Sequence, residues 1–193
     1  MLSTMHIGAW VYNEDPTNID EHAKSVFSKA TKSFLDSNLE LMLCLGSQLV
    51  SGKNYAFICR RKTVALNPKS AYSLAICYEN LQGECSISKM KDVVKENKLL
   101  GGIFCTKSSE AFISKLDCIE ANRIVHSFNK AFSNLVGVKY TPELYVAHSI
   151  STGINYHIIA KAKLSDKEQS IGYKYTIINS FMNEDSIVSV EDL

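Results

Sequence analysis

The chain has 193 residues, 46% of them apolar, enough for one large packed core or two small ones. Its 21 Lys and Arg against 20 Asp and Glu leave a formal net charge of +1. That balance gives no electrostatic case for a nucleic acid or an anionic membrane as partner. No apolar run approaches the roughly 20 residues of a membrane-spanning helix. The opening Met1-Leu2-Ser3-Thr4-Met5-His6 has neither the basic nor the apolar region of a secretory leader. A cytoplasmic location is therefore expected, with secretion after loss of a leader as the alternative. The absence of any Asn-x-Ser/Thr sequon agrees with the first.

Gly8-Ala9-Trp10 opens the first half. Asp15-Pro16-Thr17-Asn18 then supplies a capping residue and an early proline, with Asp20 and Glu21 completing an acidic helix start. Ala23, Val26, Phe27, Ala30 and Phe34 form an apolar stripe at helical spacing, which lays the helix on a single surface. In 39–45 every odd position is leucine, so a strand is expected with Leu39, Leu41, Leu43 and Leu45 facing the helix. Gln48-Leu49-Val50-Ser51-Gly52 reads as the tip of a β-hairpin, its glycine free to take φ > 0. Residues 55–62 and 71–78 are further strands, and Arg60-Arg61-Lys62 is read as an exposed strand end. Leu81 and Gln82 fall in a second turn. The charged stretch 88–98, without Gly or Pro, is expected to form a short linker helix with Met90, Val93 and Val94 inward. The domain boundary falls near residue 97.

The second half says the same again. Gly101-Gly102-Ile103-Phe104 opens it, Ser108-Ser109-Glu110 marks a helix start, and 140–147, 156–162 and 173–178 read as strands. Ala121, Ile124, Val125, Phe128 and Phe132 lie over the first helical stripe, and Gly153-Ile154-Asn155-Tyr156 over Gly52-Lys53-Asn54-Tyr55. Ile177-Ile178-Asn179-Ser180-Phe181 matches the run from Ile76 to Leu81 with a one-residue gap. An internal duplication follows, with domains 1–97 and 98–193. Each is one helix followed by an antiparallel meander of about four strands, an α+β architecture.

Chemistry-bearing residues give little to a catalytic reading. None of Cys44, Cys59, Cys77, Cys85, Cys105 and Cys118 forms a Cys-x-x-Cys pair, which removes zinc-ribbon and thioredoxin-type sites. Cys44 with Cys59, and Cys77 with Cys85, flank the two hairpins and could face each other across strands; reduced thiols are the expectation. The histidines show no metal-ligand spacing, His22 and His126 should face solvent, and Cys118 lies two helical turns from His126. There is no phosphate loop and no nucleophile elbow. The chain is not expected to be an enzyme or to need a metal or cofactor.

The order Gln48-x-Val50-x-Gly52, running into Asn54-Tyr55, resembles the first-hairpin signature of the cystatin family, and of its stefin branch in particular. Gly8 lies upstream at family spacing, a second hairpin follows, and the cysteines do not reproduce the disulfides of secreted cystatins. The resemblance covers residues 1–90 and recurs, degraded, over 100–193. It implies two tandem cystatin-like domains, the first a reversible inhibitor of papain-like cysteine proteases. The contact residues it implies are Gly8, then Gln48, Leu49, Val50, Ser51 and Gly52, then Leu81 and Gln82. The chain departs from the family where the second hairpin lacks its proline. It departs again where Ser149-Ile150-Ser151-Thr152-Gly153 keeps only the glycine of the signature, so the second domain is expected to be structural or differently targeted. Two alternatives stand beside this reading. One is a non-inhibitory interaction module, and the other a metallocarboxypeptidase inhibitor like the tandem latexin. A monomer is expected, or a hairpin-swapped dimer that would lose inhibition.

Overall fold

In the computed structural model, which describes residues 8–35, 37–97, 99, 101–113, 119–166 and 169–193, the chain divides into two compact units, Met1–Val93 and Val94–Leu193. The first contains β1 (Trp10–Tyr12), α1 (Glu21–Thr31), β2 (Ser37–Val50), β3 (Gly52–Thr63), β4 (Ser70–Glu79) and β5 (Cys85–Lys95), whose last two residues, Val94 and Lys95, lie past the boundary. The second contains β6 (Ile103–Cys105), the short α2 (Ser108–Ala111), α3 (Ile119–Phe132), β7 (Val138–Ser151), β8 (Gly153–Leu164), β9 (Ile171–Phe181) and β10 (Glu184–Asp192). Each unit is a five-stranded antiparallel meander in chain order with one principal helix packed on it, an α+β fold.

The helical stripes do what their spacing predicts. Ala23, Val26, Phe27 and Ala30 are buried against Tyr55, Phe57, Cys59, Ala75 and Cys77. Phe27 meets Phe57 edge-on at a centroid distance of 5.3 Å. In the second unit Ile124, Phe128 and Phe132 pack on Tyr145, Tyr156, Ile158 and Ile178, with Val125 only half-buried. A buried side chain of this size contributes about 1.5–3 kcal/mol, so these stripes hold helix to sheet. Phe34 lies beyond the end of α1 and is half-buried.

Four expectations are corrected. The cap of α1 is Asp20, whose carboxylate accepts from the N–H of Ala23 at 2.7 Å. Asp15 is spent in a turn, accepting from the N–H and hydroxyl of Thr17. Ser108-Ser109-Glu110 starts only the four-residue α2; the long helix begins at Ile119. The leucine alternation of β2 is broken by register shifts between Leu41 and Leu43 and between Cys44 and Gly46. An extra residue in a strand reverses which face the following side chains take. Leu39 and Leu41 therefore pack on the helix-side core, Cys44 joins it, and Leu43 and Leu45 are buried outside it. Finally, the expected linker helix is strand β5 as far as Lys95, and Lys98 lies outside the described residues. Lys89, Lys91 and Lys95 are exposed along this outermost strand, while Val94 is buried. With β1 and β5 in place, the sheet has one strand more than the meander read from the sequence.

The duplication extends to irregularities. β7 shifts register between Pro142 and Leu144 and between Tyr145 and Ala147, the positions equivalent to the shifts in β2. Polar groups differ. In the first unit Arg61 grips both oxygens of Asp92 at 2.9 and 2.8 Å, and Asp92 also accepts from Ser73 at 2.7 Å. Arg60 donates to Ser70. The Arg60-Arg61-Lys62 run is thus partly built into the sheet rather than left as a free strand end. In the second unit the buried His157 sits between the Ser149 hydroxyl, 3.1 Å from Nε2, and the Tyr175 hydroxyl, 2.6 Å from Nδ1.

Cys44, Cys59, Cys77, Cys85 and Cys105 are free thiols, and Cys118 lies outside the described residues. The register sets Cys59 opposite Leu41 and Cys44 opposite Phe57, so the first flanking pair is not a cross-strand pair. Asn80 and Glu84 close the second turn, which leaves Cys77 and Cys85 out of direct register as well. Burial pushes Cys44 up to about 11, and Cys59 and Cys77 up to about 12.

Two outcomes are expected. In a Cys85→Ser/Cys105→Ser/Cys118→Ser variant, Ellman's reagent at mildly alkaline pH should find no reactive thiol until denaturant exposes Cys44, Cys59 and Cys77. The second concerns acid. Burial lowers the pKa of His157 to about 4, so the native state resists a proton that the unfolded chain accepts below its ordinary value of 6.5. Stability should fall as pH drops from 6.5 towards 4, by about 3 kcal/mol in total. Urea midpoints across that range should show the loss, and His157→Gln should flatten it.

Candidate functional site

The meander order puts the start of β1, the β2–β3 hairpin and the β4–β5 turn at the same end of the first sheet. β1 enters beside the hairpin, Trp10 pairing with Gln48. Gly8, at φ +86°, donates its N–H to the Leu49 carbonyl at 2.9 Å. Its own carbonyl accepts from Gln48 Nε2 at 2.8 Å, and Gln48 Oε1 accepts from Asn54 Nδ2 at 2.9 Å. One glutamine side chain thus ties the N-terminal segment to both strands of the hairpin.

At the tip, Val50 pairs with Gly52 and Ser51 stands exposed between them. The Ser51 carbonyl accepts from the Tyr78 hydroxyl at 2.5 Å. Gly52 is buried at φ +124°, and a Cβ there would lie 2.4 Å from the Glu79 carbonyl oxygen. Only glycine meets both conditions. Leu49 and Val50 are half-exposed.

The second turn needs no proline to hold its shape. Asn80 Oδ1 accepts from the N–H groups of Gln82 and Glu84, both at 2.9 Å, and Gly83 takes φ +80°. This presents Leu81, 80% exposed, with Gln82 also exposed beside it. Nearby, Glu79 accepts from His22 at the start of α1, 2.8 Å away, and Lys53 Nζ lies 4.7 Å from the Tyr55 ring centroid. All eight residues singled out in the sequence therefore belong to segments gathered at one end.

The sequence singled out Asn54 only as part of the motif and gave no role to Tyr78 or Asn80, yet all three hold those segments. The partners of Asn54 and Tyr78 become visible only once the strand register is known, whereas those of Asn80 are local, two and four residues on. The recurrence of Asn in Gly52-x-Asn54 and Gly153-x-Asn155 was one available signal, and Asn80 three residues ahead of Gly83 was another.

The second unit builds the matching end differently. Asn155 Nδ2 reaches the Ser149 hydroxyl at 3.4 Å where Asn54 reaches Gln48. Asn179, in the place of Tyr78, donates to the Thr152 carbonyl at 3.1 Å. Gly153 is constrained like Gly52, 2.5 Å from the Ser180 carbonyl oxygen. Gly102 turns tightly on Asn97, whose backbone pairs with Ile103. Ile150 and Met182 are exposed.

No family model matches the chain, and no curated protein matches it in sequence. Among the described residues no group of three or more His, Cys, Asp or Glu side chains is arranged to hold a metal ion. No described helix is long and apolar enough to cross a membrane.

The two glycines of the site should respond differently to a methyl group. Gly52→Ala meets backbone as well as an unfavourable φ, and should cost about 2–3 kcal/mol in urea unfolding. Gly8→Ala has no atom within 4 Å of the new Cβ and only the φ penalty, so about 1 kcal/mol is expected.

Proposed function

We propose that the first unit is a reversible, wedge-type inhibitor of papain-like cysteine proteases, the activity of the cystatin family that it resembles. The observation that carries this reading is the gathering of Gly8, the 48–52 hairpin and the Leu81–Gln82 turn at one end, with Gln48 binding the first two together. A preformed edge of this kind loses little conformational entropy on docking. Leu49, Val50 and Leu81 supply apolar contact area without burying an unpaired charge.

Resistance to cleavage has a physical basis in the same hydrogen bonds. The Leu49 carbonyl is engaged by the Gly8 N–H and the Ser51 carbonyl by Tyr78. A protease must polarise a carbonyl through its own donors before attack, and these oxygens are directed into the inhibitor. Gln48 serves the hairpin from within, so recognition falls to Leu49, Val50 and Leu81. The turn without proline keeps its rigidity through Asn80.

The full chain should inhibit papain stoichiometrically in a fluorogenic-substrate titration. Leu49→Asp and Val50→Asp should each weaken inhibition about tenfold or more, the worth of one buried apolar side chain. Ile150→Asp in the second unit should leave it unchanged. If high micromolar protein leaves papain, cathepsin-type and legumain-type enzymes fully active, the reading fails. A metallocarboxypeptidase assayed in parallel should be unaffected; inhibition of that enzyme alone would favour the latexin-like alternative.

A further inference from the structure

The two sheets end on equivalent strands of opposite charge. β5 closes the first and β10 the second, and neither has a strand on its outer side. Met90 packs on the helix-side core, so the alternation of a strand turns Lys89, Lys91 and Lys95 to the other face. All three lysines are exposed and form no ion pair among the described residues. Asp92, the one acid in β5, is held by Arg61 and Ser73.

β10 has acids and no basic residue. Its Ile187 packs on the helix-side core and pairs with Ile178, while Glu184 pairs with Phe181 and Glu191 with Tyr175. Val188 is an extra residue against β9, so both carboxylates face away from α3 and stand six ladder positions apart. They too are exposed and outside any ion pair among the described residues. Lys89 and Lys95 are also six residues apart, on the corresponding face of β5.

We infer that β5 of one chain pairs antiparallel with β10 of a second copy, joining the two sheets into one. With Lys95 opposite Glu184 and the extra Val188 passed over, Lys89 falls opposite Glu191 and Met90 opposite Val190. Both ion pairs then lie on the face away from the helices, and the apolar pair lies on the other. In that register α1 and the second copy's α3 cover the same side of the joined sheet. Opposite charges directly across a ladder favour the pairing, and like charges oppose it. β5 against β5 sets lysine beside lysine, and β10 against β10 sets glutamate beside glutamate, so the unlike edges are the ones selected. Each chain carries one edge of each sign, and association runs head to tail, as a closed dimer or a longer chain. Salt screens the repulsion between like edges and the attraction between unlike ones together.

The test is sedimentation velocity of the full chain from about 5 to about 200 μM, the range of a small, transient interface. In about 50 mM salt the weight-average sedimentation coefficient should rise with concentration, and about 300 mM salt should weaken association at least about threefold. Lys89→Glu/Lys95→Glu makes both edges acidic, and Glu184→Lys/Glu191→Lys makes both basic. Each variant alone should associate at least about tenfold more weakly than the unaltered chain, and an equimolar mixture of the two should regain the association. The single reversals Lys95→Glu and Glu184→Lys, mixed in the same way, serve if circular dichroism shows a double variant unfolded. Three results overturn the proposal: a chain that stays monomeric throughout, association that survives either reversal, as a swapped hairpin would, or a mixture that does not regain it. No arm reads protease inhibition, and the inference does not rest on it.

Discussion

A Cβ at position 52 would sit 2.4 Å from the backbone oxygen of Glu79, and one at 153 would sit 2.5 Å from that of Ser180. The missing methyl group lets the fourth strand of each sheet lie hard against the tip of its first hairpin. From that distance Tyr78 reaches the Ser51 carbonyl, and Asn179 reaches that of Thr152. The tip is then fixed from one side by its neighbouring strand. In the first unit it is fixed from the other side by Gln48 and the Gly8 backbone. Without the close approach, the Tyr78 bond and the shape of the candidate edge would both be lost.

Much of the fold was legible because it rests on periodicity. Spacings of three and four in Ala23, Val26, Phe27 and Ala30 predicted the buried face of α1, and glycine after Ser51 predicted the hairpin. What escaped was whatever depends on a partner strand. The alternating leucines of β2 pointed to a single face, yet the register shift at Met42 moves Leu43 and Leu45 away from the helix and gives Cys44 their place. The Lys-rich 88–98 stretch read as a helix because it lacks glycine and proline. Its alternation of Ile87 with Ser88, and of Met90 with Lys91, is irregular, and the strand is decided by a free edge on β4. The candidate site divides likewise. Its tip residues were visible as a motif, while the partners of Asn54 and Tyr78 follow only from register.

The two units keep the same irregularities and differ in their polar interiors. Equivalent register shifts and equivalent glycines recur, so the backbone path is the part the two units share. Where the first unit spends Gln48 on joining its N-terminal segment to the hairpin, the second has Ser149, drawn inward to a buried histidine. That exchange takes away a clamp at the surface and adds an acid-sensitive group in the interior.

Strand β5 ends the first sheet with lysines at 89, 91 and 95 turned to water. An outermost strand has unused backbone donors and acceptors, a template on which another chain could extend the sheet. Two such edges brought together would align like charges a few ångströms apart, and that repulsion opposes fibril-like stacking of this edge on its own kind. The protection is electrostatic, so it has a range. At about 1 M salt that range shrinks to about 3 Å, and the edge is left with little beyond its twist to keep copies of the chain from adding to one another.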